Sequence, residues 1–482
     1  MKSEKKQSQP RGITLHRSFV TSATIPARTT LAIRRTRGPE EPRNRGTEEP
    51  EEPEEPEEPY DPAENRLTGG RIVITGVGAL SPNGVGRENY FTALREGRSG
   101  VRTITHFDAS ALPARIAGEV DFDPAQWVDP KNLRHVSRVV PMAIAATDEA
   151  LRDARLDPRA LDLETRQAIG VMLGSGGGAI EFSERMYELW YAGAAKQASI
   201  YSVPSGTIGT IASEISMAYD LHGFSHLIST GCTSSTDAIG YAYRNLKLGV
   251  CDYVVAGGAD ATITEAVMTG FCMMRIVSNA WNDAPERASR PFTANRDGFV
   301  LGEGTWMFVM EREETALARG ATIYAEVAGY GSTCDAYHRV RMDESGEEPA
   351  RAMTLALRDA QATPEEIGYI NYHGTSTDLN DRIETRAVKL AFGAHASKLA
   401  GSATKSMIGH PQGACGAAGV AATLMAFRDD ILPPTINLDQ PDPECDLDYV
   451  ANVARSARID AAVCNTIAFG SKNSALVLRR YV

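Results

Sequence analysis

Across 482 residues there is no run of 18 apolar residues, and no two of the seven cysteines form a C-x-x-C pair. The first absence argues against a transmembrane helix. The second, with the odd count and wide spacing of the cysteines, argues against a zinc ribbon or a disulfide framework and fits a reducing cytoplasm. An excess of positive charge is also lacking: 50 Lys and Arg stand against 62 Asp and Glu, a net of −12. That balance is wrong for a protein held to nucleic acid by phosphate contacts. What is present is a 42% hydrophobic fraction, that of a globular chain, and a length beyond one ordinary domain.

The global charge conceals an asymmetry. Residues 1–38 carry a balance of +8, residues 39–64 one of −10, and residues 65–482 the remaining −10. Residues 1–69 hold two aromatics, Phe19 and Tyr60, and a Glu-Glu-Pro repeat from Glu48 to Pro59. Proline at every third position blocks helix and the glutamates repel, so this tail is expected to be extended and disordered. The basic, Ser/Thr-rich stretch before it faintly resembles an organelle transit peptide, although a plain tail or a misassigned start explains it as well.

Order is expected to begin near Arg71. Short apolar β-rich runs at 72–78, 168–173, 226–229 and 253–256 read as buried strands, with helices at 87–96, 139–155, 232–248 and 263–275. A second series places strands at 305–311, 323–331, 367–372 and 465–469, and helices at 349–361, 381–392 and 413–428. Alternating strands and helices predict an α/β protein with both sheet faces covered, and the two series have the form of distant copies.

Most free cysteines are small buried apolar residues. Cys232 is set apart by its place: strand, Thr230-Gly231, then the first residue of a helix. Unpaired amides and the positive end of the helix dipole favour thiolate there. His373, after the strand at 367–372, and His410, before a Gly/Ala-rich helix, lie in the glycine-punctuated loops where α/β proteins collect catalytic groups. Lys405 and Glu384 read equally well as a surface cation and an ordinary helix acid. One cysteine and two histidines suit acyl transfer or a cysteine hydrolase, and spacing does not choose between them.

Five motifs stand in order: Ser229-Thr-Gly-Cys-Thr-Ser234, Asp335-Ala-Tyr-His338, His373-Gly-Thr-Ser-Thr377, Gly401-Ser-Ala-Thr-Lys-Ser-Met-Ile-Gly-His410 and Pro433-Pro-Thr-Ile-Asn-Leu438. From about Arg71 onward the chain resembles the β-ketoacyl-[acyl-carrier-protein] synthase family, in particular type II elongating synthases and ketosynthase-alpha subunits. The resemblance implies a thiolase-like fold, a duplicated five-layer αβαβα core with halves at 70–322 and 323–482 after the 1–69 tail. It implies decarboxylative condensation of an acyl thioester on Cys232 with malonyl-acyl carrier protein, in fatty acid or polyketide synthesis. His373 and His410 match the pair that contacts the malonyl thioester, with Lys405 and Glu384 supporting them. Phe469 and Gly470 match the gating loop, Phe469 giving an oxyanion-hole amide, and Asp335 stands beside that gate. Lys131, Arg134, Arg138 and Arg275 match the basic residues that dock an acidic carrier.

The same resemblance implies no metal and no cofactor beyond the carrier's phosphopantetheine. It implies a homodimer, or a heterodimer with a related subunit, in the cytoplasm. A subunit active only beside a chain-length-factor-like partner, or a non-elongating acyltransferase, remains the alternative. Two departures stand out. The terminal loop reads Ala468-Phe-Gly-Ser-Lys-Asn473 where the family has Gly-Phe-Gly-Gly-Thr-Asn, which puts the gate's freedom in question. Residues 181–200, rich in aromatics, differ from the fatty-acid pattern and are expected to shape the acyl pocket or a dimer contact.

Overall fold

The computed structural model describes residues 70–470 and 472–482, so the expectation of a disordered tail lies outside the described residues. Ten strands form the main sheet: β1 (Ile72–Ser81), β2 (Ile169–Gly174), β3 (Ser225–Ile228), β4 (Tyr253–Asp260), β5 (Gly304–Arg312), β6 (Ala325–Cys334), β7 (Tyr369–Asn371), β8 (Ala400–Ser402), β9 (Ala461–Ala468) and β10 (Lys472–Arg480). Their spatial order is β8-β7-β9-β10-β6-β1-β5-β4-β2-β3, with Gly84–Val85 turned back onto β1 as an eleventh strand. Numbered within its own series, each half has the order 1-5-4-2-3. In each, the first, fifth and fourth strands are antiparallel and the second pairs parallel with the fourth and the third. A three-residue pairing, Ile72–Ile74 against Ala325–Val327, joins the halves. The α/β, thiolase-like duplication is therefore written in the topology.

The principal helices are α1 (Arg87–Glu96), α2 (Val139–Asp153), α3 (Ile180–Tyr191), α4 (Thr210–Tyr219), α5 (Ser234–Lys247), α6 (Glu265–Met274), α7 (Glu347–Asp359), α8 (Asp378–Phe392) and α9 (Cys415–Asp429). Three apolar cores separate them. Helices α2 and α4 pack with one face of the first five strands, α7 and α8 with one face of the second five, and α5 and α9 share the central core with strands of both halves. All ten residues of β1 are buried, which is why the strand reads as a mostly apolar run broken only by Thr75 and the terminal Ser81. In α9, thirteen residues from Cys415 to Phe427 are buried, so the helix is apolar all round. Its small residues allow that. A Cβ on Gly416 would lie 2.0 Å from Thr236 Oγ1 of α5, and one on Gly419 would lie 2.4 Å from Asn371 Oδ1 of β7.

Candidate active site

Strand β3 ends at Ile228, and Gly231 takes φ 73°, a left-handed turn that only glycine adopts freely. Cys232 follows in a single 3-10 turn, Gly231–Thr233, and α5 begins two residues later than expected, at Ser234. The turn is closed by Thr230 N–H on Ser234 Oγ (3.0 Å) and Thr230 Oγ1 on Asp237 Oδ2 (2.5 Å). Cys232 is buried, with Sγ 3.1 Å from His410 Nε2. Here the sequence reading needs correction. Burial, reinforced by the Cys415 thiol, outweighs Lys405 and the Phe469 N–H and pushes the Cys232 thiol up to about 12. The resting group is a neutral thiol in hydrogen-bond contact with a base.

His373 follows β7, and His410 follows the short helix Lys405–Ile408 through Gly409 at φ 70°. Their rings stand at 87° with centroids 5.3 Å apart. His410 is held by its N–H on Val300 O (2.7 Å) and by the edge of Phe299, centroids 5.5 Å apart. Lys405 is buried, and its Nζ bonds His373 O (2.7 Å) and lies 3.3 Å from His373 Nδ1. An ammonium only donates, so Nδ1 is the acceptor and the His373 proton sits on Nε2. Burial first, then the Lys405 charge, holds both imidazoles well below the usual histidine range, with His410 adding to the effect on His373. Both rings are neutral at pH 7.

Glu384, near the middle of α8, accepts the N–H of His373 (2.6 Å), that of Gly374 (2.8 Å) and Asn465 Nδ2 (2.7 Å). Burial raises its carboxyl to about 7 against these three bonds. Glu384 thus grips the backbone that carries His373, and Lys405 grips its carbonyl and ring. Sequence reasoning missed Cys415. This thiol donates to Cys232 O (3.1 Å) and lies 4.0 Å from His373 Nδ1. Nothing in its spacing singled it out among seven cysteines.

The Phe469 N–H favours the ionised form of the Cys232 sulfur, and Gly470 takes φ 81°. Asp335 does not reach the thiol; it accepts Asn473 Nδ2 (2.7 Å) and the Asp343 N–H (3.2 Å), tying β10 to the loop that carries Met342. The Ala468 methyl packs in a small cluster with Cys232 and Cys415. Ser471, the second replaced glycine, lies outside the described residues. A cavity of about 20 Å³ remains among Cys232, His373, His410, Phe299, Met342 and Phe469, room for about one water. An acyl chain does not fit this space as it stands.

Cys232, His373 and His410 each bring a possible metal-donor atom within 4.8 Å of the others. The donor types suit zinc. Lys405 does not: binding through His373 Nε2 would move the proton to Nδ1, facing the ammonium 3.3 Å away. The chemistry of the set is that of proton transfer and anion stabilisation.

The basic residues divide. Lys131 and Arg134 are exposed around the short helix Pro130–Leu133, and Arg275 is exposed at the end of α6 in a left-handed conformation. Arg138 is engaged inward, bonding Glu303 through Nε (3.1 Å) and Nη2 (2.8 Å) and Val120 O through Nη2 (2.9 Å). Its guanidinium is already paired with a buried carboxylate, which removes it from the expected docking set.

Two family models cover most of the described chain: β-ketoacyl synthase, N-terminal domain, over residues 70–316, and β-ketoacyl synthase, C-terminal domain, over residues 324–439. The chain is 43% identical over 411 residues to 3-oxoacyl-[acyl-carrier-protein] synthase 2 of Coxiella burnetii, covering 85% of this chain and 98% of that protein. It is 41% identical over 421 residues to the tetracenomycin polyketide synthase ketoacyl synthase alpha subunit of Streptomyces glaucescens, covering 85% and 97%. Among solved structures, a ketosynthase complex with a type II PKS acyl-carrier protein, bound to the hexaketide, matches with a TM-score of 0.79 at 29% identity, covering 86% of this chain and all of that one.

Proposed function

This chain belongs to the β-ketoacyl synthase family, and on that footing we propose that it joins an acyl group to a malonyl unit by decarboxylative Claisen condensation, releasing a β-ketoacyl thioester on acyl carrier protein. Cys232 attacks the incoming acyl thioester as His410 takes its proton. The tetrahedral oxyanion is met by the amides of Cys232 and Phe469, each such donor worth ~2.7–4 kcal/mol. The carrier thiol leaves with a proton and the acyl group stays on Cys232. Malonyl thioester then loses CO₂, and the enolate oxygen receives one N–H bond from His373 Nε2 and one from His410, whose single proton moves from Nδ1 to Nε2 once the acylated sulfur no longer donates to it. The enolate carbon attacks the Cys232 thioester and expels the thiolate, which takes a proton from water, the one proton the overall condensation consumes. Two half-reactions on one thiol give ping-pong kinetics.

The observation that carries this reading is the Cys232 Sγ to His410 Nε2 contact of 3.1 Å with a second neutral imidazole standing across it. No metal or cofactor is needed, because each step uses groups of this site and the substrates arrive on phosphopantetheine. The carrier docks on Lys131, Arg134 and Arg275, and the enzyme works in the cytoplasm, the boundary between halves falling at 322/323. A dimer, with a second copy or a related subunit, is supported by β3, which pairs on one side only among the described strands. Whether the product feeds fatty acid or polyketide synthesis follows from the partner and primer. The test is mass spectrometry of product from acyl- and malonyl-carrier thioesters. A β-ketoacyl-carrier adduct is expected with the wild type and none with Cys232→Ala; condensation surviving in that variant overturns the nucleophile.

A further inference from the structure

Asp260 ends β4 with its side chain wholly buried. Its carboxylate accepts five hydrogen bonds. Oδ1 takes Ser175 Oγ (2.7 Å) and the N–H groups of Gly177 (2.9 Å) and Gly178 (3.3 Å); Oδ2 takes those of Gly176 (2.8 Å) and Gly413 (2.6 Å). Residues 175–178 form the loop leaving β2 in the first half. Gly413 lies in the second half, three residues after His410 and two before Cys415, whose thiol holds the Cys232 carbonyl. The two segments meet so closely that a Cβ on Gly413 would stand 2.2 Å from Gly176 N. One carboxylate therefore fastens the turn bearing His410 and Cys415 onto the loop that backs the nucleophile.

We infer that Asp260 is a positioning residue of this site, setting the Cys232–His410 contact through the Gly413 turn and placing a buried carboxylate behind the thiol. The inference deepens the condensing reading and rests on it for the acyl-transfer arm of its test. All five donors to Asp260 are neutral; burial raises its carboxyl and these bonds work against that rise, spreading the charge without cancelling it. After burial and the Cys415 thiol, Asp260 is a further influence that keeps Cys232 protonated, against Lys405 and the Phe469 N–H. The other titratable groups at the thiol are His410, which bonds it, and His373 beside His410. The geometry explains why a reactive cysteine can rest as a thiol: it meets its base in a fixed pose and ionises only as it attacks.

The asparagine variant separates positioning from bulk stability. Asp260→Asn keeps the shape, removes the charge and leaves at least two N–H groups facing an NH₂. Self-acylation of the full chain by octanoyl-N-acetylcysteamine is expected to fall 10- to 100-fold, read by intact-protein mass spectrometry. Iodoacetamide alkylation of Cys232 at pH 7.5 is expected to rise severalfold, with Cys251 and Cys464 still protected in the peptide map. A merely structural role would not produce opposite changes at one sulfur. Wild-type acylation, or wild-type alkylation of Cys232, in Asp260→Asn overturns the inference. If that variant alkylates at every cysteine, Ser175→Ala decides, since it removes one bond and keeps the charge. A two- to fivefold loss of self-acylation with unchanged alkylation supports positioning, and no loss overturns it. Failure of the wild type itself to self-acylate counts against the condensing reading, while the alkylation arm still reads Asp260.

Discussion

The titration of single groups gives the sharpest handle on the chemistry. Glu384 has its carboxyl raised to about 7, while both imidazoles are held well below the ordinary histidine value. As pH falls through about 7, Glu384 takes a proton and loses acceptor capacity for the His373 and Gly374 amides. Malonyl decarboxylation, measured in Cys232→Ala so that loading is absent, should therefore decline below about pH 7. In Glu384→Gln the rate should be about tenfold lower, as leaving one N–H facing a donor costs ~1–3 kcal/mol. The midpoint near 7 should also vanish. Persistence of that midpoint in Glu384→Gln would assign it to an imidazole and contradict the neutral pair. Stability carries a related sign. The two histidines alone make stability fall as pH drops below about 6.5, because the unfolded chain binds protons that they refuse, while the raised Glu384 carboxyl works in the opposite direction below about 7.

At the scale of elements, the central layer decides whether the two halves can share one site. Helix α9 runs beside α5 on Gly416, whose missing side chain admits Thr236. Gly416→Val should overpack this contact, costing about 1–3 kcal/mol, and lower the melting temperature by a few degrees in a thermal scan. The same layer shows what was legible in advance. Continuous apolar runs announced β1, β2 and β4, because strands covered on both faces have no polar side to show. Cys232, His373 and His410 were readable because each follows a strand or a glycine turn. The resting thiol was not readable, because burial is a property of neighbours distant in sequence. The hidden parts, Asp260, Cys415 and Asn465, act through contacts spanning 42 to 183 residues, for which no local pattern exists. Strand β10 was also missed, since its apolar core is only Ala475–Leu478 between polar and basic residues.

For the molecule as a whole, charge sets the terms of encounter with the carrier. Residues 65–482 carry −10, so an acidic carrier is repelled at long range and must be captured by a local basic surface. Arg138 bonds Glu303 and contributes packing to the fold, which leaves Lys131, Arg134 and Arg275 exposed. An exposed ion pair is worth ~0.2–1 kcal/mol, and reversing a charge replaces attraction with repulsion. Arg134→Glu combined with Arg275→Glu should therefore raise the KM for malonyl-carrier by about tenfold, close to 1.4 kcal/mol. Self-acylation by a small uncharged thioester should be untouched, since that route bypasses the surface. The difference between variant and wild type should shrink as salt rises from 0.05 to 0.5 M, because screening shortens the reach of exposed charges. Arg138→Glu should behave differently, lowering the melting temperature by leaving Glu303 buried beside a second acid, and altering carrier and small-thioester kinetics together. Equal carrier KM values for the double variant and the wild type at low salt would place the docking surface elsewhere.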